Sequence, residues 1–248
     1  MYFTRIQTTP TPSAEALRLK TAMIKYHEFR NNPRPIILKK QLTTLTSWQS
    51  ARLKHTHKNL YQLPEYSAGL HFLFSDLYSA QDFSQRDSDL ERIFPKMVKY
   101  LPKNILDITS LLVELNHLTQ DLDEKLCEKI FDPLTQCKIN ELNYCNAYRA
   151  CENKKDRLRQ INLTSELGQK LDKYARSSII HFSIKMMENP AKKAGLGTLH
   201  NFLMTGFSSF HSMKKVSSLM EAIKTKEQEL LFSIFETDSS PFDFGLSL

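Results

Sequence analysis

The chain has 248 residues, of which 41% are apolar and 25% charged, and its formal net charge is +7. These values are typical of a globular protein that can bury a core without disulfides, and they exclude global disorder. The six glycines are few for this length, which favours helices over a turn-rich β fold. No window approaches the roughly 18 consecutive apolar residues of a membrane span, so we expect no membrane insertion.

The cysteines and the N-terminal residues indicate in which cellular compartment the protein is expected. Cys127, Cys137, Cys145 and Cys151 form no Cys-x-x-Cys pair, so the sequence indicates neither a zinc knuckle nor a thioredoxin-type site. The N-terminal residues lack the apolar core of a signal peptide. We therefore expect reduced thiols and a cytoplasmic protein.

Proline and polar residues divide the chain into helical segments. Thr11-Pro12-Ser13 opens the first of them, and Asn31-Asn32-Pro33 ends it. Pro64 and Pro102 precede later segments, and Asn189-Pro190 combines an N-cap with a first-turn proline. The segments that follow the first lie at about 36–62, 64–78, 84–101, 103–131, 139–152, 156–175, 178–188, 190–213 and 216–235.

The segment after Pro190 has the clearest helical periodicity. Its apolar residues recur at intervals of three and four, which predicts one stripe facing a core rather than a haem or lipid pocket. They are Leu199, Phe202, Leu203, Gly206, Phe207, Phe210 and Met213. No repeat or long linker is visible, so we predict an all-α, single-domain irregular bundle of about eight or nine helices over residues 13–236. Residues 1–12 and 237–248 are predicted to be flexible.

Two stretches resemble a known family. The sixteen residues from Phe72 to Asp87 read FLFSDLYSAQDFSQRD, and the segment around Trp48 reads WQSARL. They resemble the Phe-Phe-Leu-x-Asp-Leu-Tyr-Gly-Pro-x-Asp-Phe-Ser-x-Arg-Asp and Trp-Gln-x-x-Arg-Leu strings of an uncharacterised bacterial protein family, a domain of unknown function. Downstream, residues 157–161 and 195–213 also resemble the family, so the resemblance extends over about residues 48–235, and it implies no activity. Ser79-Ala80 stands where the family has Gly-Pro. His200 stands where the family has a glutamine, and Met204 stands where it has an acidic residue.

The junction within the first stretch is the most polar part of the pattern. Asp76 and Tyr78 end one predicted helix, and Asp82, Arg86 and Asp87 surround the start of the next. Such groups satisfy helix ends or form an anion-binding site, and both interpretations stay open. For Tyr148-Arg149 and for Arg157, Arg159 and Gln160, the open alternatives are a buried ion network and a phosphate-sized anion site. The candidate ligand-binding residues are Asp76, Tyr78, Asp82, Arg86, Asp87, Arg149, Arg159 and Gln160.

Local spacing indicates no catalytic residue, metal site or cofactor. A di-iron centre needs two Glu-x-x-His pairs, and the sequence has one, Glu114-x-x-His117, on the flank of its helix. His-Glu-x-x-His, a phosphate-binding glycine loop and Gly-x-Ser-x-Gly are absent. A single histidine such as His71, His181 or His200 leaves haem ligation open.

We therefore predict a non-catalytic helical interaction or regulatory protein, with an unknown protein or small-ligand partner. The alternative is a helical metal- or haem-dependent enzyme whose site is assembled from distant helices. A further, less favoured alternative is binding of nucleic acid by a basic face, because Arg52, His55 and Asn59 could contact phosphates near Trp48.

Overall fold

The computed structural model describes residues 2–77, 84–131, 139–177, 182, 184–213, 215–237 and 240–242, apart from the side chains of 75–77 and 84. These ranges contain twelve α-helices, one π-helical segment and no strand. The predicted all-α class is thereby confirmed. None of the described helices is long and apolar enough to cross a membrane.

The helices follow one another with short connections. In chain order they are α1 (Tyr2–Thr8), α2 (Ala14–Arg30), α3 (Ile36–Thr56), α4 (Lys58–Tyr61), α5 (Pro64–His71), the π-helical segment (Phe72–Leu77), α6 (Ser84–Tyr100), α7 (Lys103–Ile130), α8 (Glu141–Ala150), α9 (Lys154–Ala175), α10 (Glu188–Lys193), α11 (Gly197–Ser212) and α12 (Val216–Glu236).

The predicted number of eight or nine helices is wrong, because thirteen helical elements occur in the described ranges. The difference comes from short elements, since α1, α4 and α10 have seven, four and six residues. Such lengths are too short for an apolar periodicity to be recognised. The helix predicted over 36–62 is divided at His57, where α3 ends and α4 begins. Helix α1 lies in the segment predicted to be flexible.

The chain forms two compact units, each described here by itself. Unit 1 contains residues 1–33, 82–117 and 170–211. Its core is built on α2, whose first turn is capped by Ser13 because the Ser13 hydroxyl accepts a hydrogen bond from the Ala16 amide at 3.2 Å. The core side chains are Ile6, Ala16, Leu19, Ala22, Met23, Tyr26, Phe94, Met97, Leu106 and Val113. That residues 13–236 form one domain stays a prediction.

Unit 2 contains residues 34–81, 118–169 and 212–248. Its core surrounds the single tryptophan, Trp48 of α3, which is completely buried. The Trp48 and Tyr144 ring centres lie 4.4 Å apart. The Ser50 hydroxyl donates to the Phe74 carbonyl at 2.8 Å, within the π-helical segment that carries the family-like sequence. This hydrogen bond links the π-helical segment to α3.

Gly168 of α9 allows α12 to approach closely. A Cβ atom at Gly168 would lie 2.6 Å from the Met220 sulfur, and Met220 is fully buried. Alanine normally stabilises a helix interior by about 1 kcal/mol relative to glycine. Here we expect Gly168→Ala to lower the free energy of unfolding by about 1–3 kcal/mol in urea titrations, because the fully buried Met220 side chain must shift within a packed core.

The matched control is Gly197→Ala, where the nearest atom to the added Cβ is a Lys192 carbon at 3.9 Å. We expect this variant to be as stable as the wild type or more stable. A Gly168→Ala protein that unfolds at the same urea concentration as Gly197→Ala would contradict the proposed close packing.

Candidate functional site

The predicted ligand-binding residues belong to both units. Tyr78, Asp82 and the side chain of Asp76 lie outside the described residues. Arg86 and Asp87 belong to unit 1, and their side chains lie 3.5 Å apart. The remaining three, Arg149, Arg159 and Gln160, belong to unit 2.

In unit 1, Asp87 is the centre of a buried ionic cluster on α6. The Tyr26 hydroxyl donates to Asp87 Oδ2 at 2.6 Å, and Arg30 Nη1 lies 3.4 Å from the same oxygen. Tyr26 and Arg30 are four residues apart on α2, so both point at one carboxylate. Burial lowers the pKa of the Arg86 guanidinium, while Asp87 and Tyr26 counteract that effect.

Glu91, one helical turn after Asp87, extends the cluster. Arg30 Nη2 donates to Glu91 Oε1 at 3.1 Å, and His27 Nδ1 lies 2.9 Å from that oxygen. The Arg86 guanidinium lies 4.7 Å from the centre of the Phe202 ring, which supports a cation–π contact. We call Tyr26, His27, Arg30, Arg86, Asp87 and Glu91 the Asp87 cluster.

A small cavity adjoins the Asp87 cluster. Its volume is about 20 Å³, which is enough for roughly one water molecule. Its polar lining consists of Tyr26, Arg86, Asp87, Glu91 and Asn116, and the rest is apolar. The cavity therefore fits a structural water and is too small for an organic substrate.

The candidate residues of unit 2 have structural partners. Arg149 Nη1 donates to the carbonyls of Ile234 and Thr237, both at 2.7 Å, and thereby caps the C-terminus of α12. Gln160 Nε2 donates to the Thr119 hydroxyl at 2.9 Å. Arg159 is exposed. Arg149 and Gln160 thus stabilise different elements.

Unit 2 also contains a buried ionic network that local sequence spacing did not indicate. Arg52 Nη1 lies 2.6 Å from both Glu227 oxygens, and His57 Nε2 lies 2.9 Å from Glu227 Oε1. Arg52 and His57 are 9% and 3% exposed. Arg52, predicted as a phosphate contact in the nucleic-acid alternative, is therefore engaged inside the unit.

A second buried group surrounds Asp123 of α7. Gln49 Nε2 donates to Asp123 Oδ1 and to the Tyr144 hydroxyl, both at 3.3 Å. Arg157 Nη1 lies 3.5 Å from Asp123 Oδ1, and Arg157 Nη2 donates to the Leu122 carbonyl at 3.0 Å. We call the two groups together the Arg52 network: Gln49, Arg52, His57, Asp123, Tyr144, Arg157 and Glu227.

Besides the predicted ion network of Arg157, the Trp-Gln-x-x-Arg-Leu resemblance is a sequence signal that could have revealed these residues. It names Gln49 and Arg52, which share one face of α3 because they are three residues apart. Their carboxylate partners, Asp123 and Glu227, are 74 and 175 residues away in the chain. No local spacing links residues so distant.

Acid is expected to weaken unit 2 through Glu227. Burial alone would raise the pKa of the Glu227 carboxyl, but Arg52 and the hydrogen bond from His57 hold that pKa at about 2, below its usual 4.5. A depressed carboxyl pKa stabilises the folded state above the unfolded value and loses that contribution as the pH falls. We expect the free energy of unfolding to fall between pH 4.5 and about 2.

Urea titrations of the wild type and Glu227→Gln across this pH range measure the effect. The variant lacks the titrating group, so its stability should change less with pH than that of the wild type. Glu229→Gln, whose side chain is 61% exposed on the same helix, is the control. Equal pH dependence in the wild type and Glu227→Gln would contradict the assignment.

The described thiols are poor nucleophiles. Burial raises the pKa of Cys127 well above its usual range and that of Cys145 to about 11, and it also raises the pKa of the partly exposed Cys151. The thiolate is the reactive form. In native protein at neutral pH we expect iodoacetamide to modify Cys151 first, with Cys127 and Cys145 labelled only after unfolding, as followed by peptide mass spectrometry. Equal labelling rates of Cys145 and Cys151 would contradict this expectation.

Both side chains of the Glu-x-x-His pair contact other residues of unit 1. Arg18 forms two hydrogen bonds to the Glu114 carboxylate, at 3.0 and 3.2 Å. The His117 ring centre lies 4.8 Å from that of Phe29. Among the residues that the structure describes, no group of three or more His, Cys, Asp or Glu side chains is arranged to hold a metal ion.

Exposed apolar side chains mark a surface of unit 1. Phe182, Met186 and Met187 are 62%, 63% and 56% exposed, and Leu203 of α11 is 45% exposed. His200 Nε2 lies 2.8 Å from the Ile184 carbonyl, which ties this segment to α11 one turn before Leu203. We call Phe182, Met186, Met187 and Leu203 the methionine surface.

The described residues thus define an all-α protein in which both units contain a buried ionic assembly. Residues 28–241 match a family described as Domain of unknown function (DUF8198), and the chain belongs to this family. The predicted membership in an uncharacterised domain family is confirmed. No curated protein and no solved structure matches the chain.

Proposed function

We propose that this chain is a non-catalytic helical protein that binds a protein partner through the methionine surface. The observation that carries the proposal is the exposure of Phe182, Met186 and Met187, each more than half accessible within six residues. Isolated exposed apolar residues are ordinary, whereas a group of large ones is typical of an interaction site. Methionine adapts its shape to a partner because its side chain is unbranched and polarisable.

The buried ionic assemblies support a structural rather than a reactive role for the interior. In the Asp87 cluster, two arginines and two carboxylates balance each other beside a cavity with room for about one water. In the Arg52 network, Arg52 is matched by Glu227 and Arg157 by Asp123. A buried charge is tolerated when it is paired and hydrogen-bonded. These pairs therefore neutralise the buried charges without a substrate.

The charges next to the methionine surface suggest the chemistry of the partner. Lys185, Lys192 and Lys193 are exposed in the same stretch, and Glu188 forms an ion pair with Lys192 at 2.7 Å. The surface is therefore apolar and basic. An amphipathic helix with acidic residues beside its apolar face would match it in both respects.

Methionine oxidation tests this proposal directly. The chain is isolated from its native host with whatever protein remains bound, treated briefly with hydrogen peroxide and analysed by peptide mass spectrometry. In the free chain Met186 and Met187 should oxidise, and in the complex they should be protected. Buried Met23 and Met220 serve as internal controls, because both should resist oxidation in either state.

The contribution of the methionine surface to affinity is then measured with the purified partner. A Phe182→Ser, Met186→Ser, Met187→Ser variant should lose at least about ten-fold in affinity, because large apolar anchors dominate interface energies. The matched control is Leu17→Ser with Tyr100→Ser, two exposed apolar positions elsewhere in unit 1. Full accessibility of both methionines in the complex, or equal affinity of the two variants, would refute the proposal. Stoichiometric iron or a haem absorbance band in the purified protein would refute it too.

The enzyme alternative draws on one observation, the convergence of ionisable side chains in the Arg52 network. It predicts that a conservative change such as Glu227→Gln abolishes a function while the protein stays folded. The proposal predicts the reverse, a loss of stability with partner binding retained. The bacterial origin and the cytoplasmic location stay predictions.

A further inference from the structure

A second exposed surface lies in unit 2, at the start of α3. Pro35, Ile36 and Ile37 are three consecutive exposed apolar residues, and Ile36 is 96% exposed. An aliphatic side chain this exposed makes almost no contact with its own chain. Lys39 and Lys40 follow and are exposed as well. We call these five residues the α3 tip.

The α3 tip is tied to the rest of unit 2 although its side chains project. Pro35 fixes its own backbone angle immediately before the helix. Arg34, the preceding residue, forms an ion pair with Glu124 of α7 at 2.5 Å. The exposure of Ile36 and Ile37 is thus a property of an ordered helix start that is anchored to the core helix α7.

The helices α3 and α4 themselves carry charge of one sign. Residues 29–64 contain no aspartate or glutamate, so α3 and α4 carry only basic charges. Carboxylates of other helices that contact this region include Glu124, Asp123 and Glu227, and they are matched by Arg34, Arg157 and Arg52. An acid-free basic helix with an apolar end is complementary to an anionic surface that also accepts apolar groups.

We propose that the α3 tip docks onto an anionic lipid surface. Ile36 and Ile37 enter the boundary between headgroups and acyl chains, and Lys39 and Lys40 contact lipid phosphates. The lysines lie one helical turn behind Ile36, about 5 Å along the axis, which matches the depth to which peripheral helices insert. Nucleic acid would use the lysines and leave the isoleucines without a partner. A projecting end also suits a soft, flat interface better than the groove of a protein partner.

This inference does not rest on the methionine surface, which belongs to the other unit. The test uses the full chain in flotation with two kinds of vesicle: phosphatidylcholine alone, and an equimolar mixture of phosphatidylcholine and phosphatidylglycerol. We expect binding to the anionic vesicles only, and weaker binding at high salt. A lysine near such a membrane contributes enough that Lys39→Gln with Lys40→Gln should weaken binding by about thirty-fold.

Ile36→Ser with Ile37→Ser should weaken binding by about ten-fold or more, because the apolar insertion is lost. The matched controls are Leu142→Ser, at an exposed apolar position of α8, and Lys58→Gln, at an exposed lysine of α4. Insertion is read separately with Ile36→Trp, whose fluorescence should shift to shorter wavelength on anionic vesicles. Trp48, fully buried, provides a constant background.

Absence of binding to anionic vesicles would overturn the inference, as would binding that the isoleucine variant leaves unchanged. Tight binding of duplex DNA that depends on Lys39 and Lys40 but not on the isoleucines, without vesicle binding, would assign the lysines to nucleic acid instead. None of these outcomes affects the oxidation test of the methionine surface. Circular dichroism of each variant verifies that the helices are retained.

Discussion

Replacing Glu227 by alanine should lower the free energy of unfolding by about 3–5 kcal/mol, because the change leaves the charge of Arg52 buried without its counter-ion. Arg52 Nη1 contacts both Glu227 oxygens at 2.6 Å, and the side chains of Arg52 and Glu227 are only 11% and 14% exposed. Water cannot replace the carboxylate without opening the contact between α3 and α12. Urea unfolding followed by circular dichroism measures the loss.

Glu221→Ala is the matched control on the same helix. Its carboxylate is 58% exposed and pairs with Lys224 at 3.7 Å. Exposed pairs of this kind contribute about 0–1 kcal/mol, so the control should unfold close to the wild type. A Glu227→Ala protein as stable as Glu221→Ala would show that Arg52 finds another counter-ion or reaches solvent.

In unit 1, Asp87→Ala should be comparably damaging, with a loss of about 3 kcal/mol or more. Asp87 accepts from the Tyr26 hydroxyl and lies against Arg30 and Arg86, so its removal takes this acceptor from Tyr26 and this counter-charge from Arg86, while Arg30 keeps Glu91. Asp87→Asn keeps the size and the acceptor oxygen but not the charge, and its loss should be intermediate.

The control for this position is Asp121→Ala, whose carboxylate is one-third exposed and pairs with Lys125 one turn away. We expect a loss below about 1 kcal/mol in urea titrations of this variant. If Asp87→Asn were as stable as the wild type, the negative charge of Asp87 would be unimportant and the cluster would be held by hydrogen bonds alone.

The sequence predicts the larger helices well because their limits are local. Pro35 and Pro102 precede α3 and α7, and a proline disfavours helix in the residue before it. The break at His57 is not predictable in this way, since the apolar periodicity continues across it. The seven-residue α1 is recognised only by its packing, because Ile6 is completely buried in the core of unit 1.

The candidate site was partly predictable. Arg86 and Asp87 were identified as a polar helix start, and the structure places both in a buried cluster. Their partners Tyr26 and Arg30 lie on α2, and α2 does not reveal from its own sequence which helix it packs against. The resemblance that contains Gln49 and Arg52 indicates two of the seven residues of the Arg52 network. Asp123 and Glu227 join the network because distant helices pack against α3, and a single sequence does not specify that packing.

The central claim is that the ionic assemblies stabilise the fold while binding takes place at the surface. Its most direct test combines Arg52→Met, His57→Phe and Glu227→Leu in one protein, and measures both urea unfolding and affinity for the partner captured by the methionine surface. Replacing a buried ion pair by apolar residues of similar size is often neutral or stabilising. We expect the triple variant to recover most of the stability lost in Glu227→Ala and to bind the partner as the wild type does. A folded triple variant that no longer binds would contradict the claim and place the Arg52 network in the functional site.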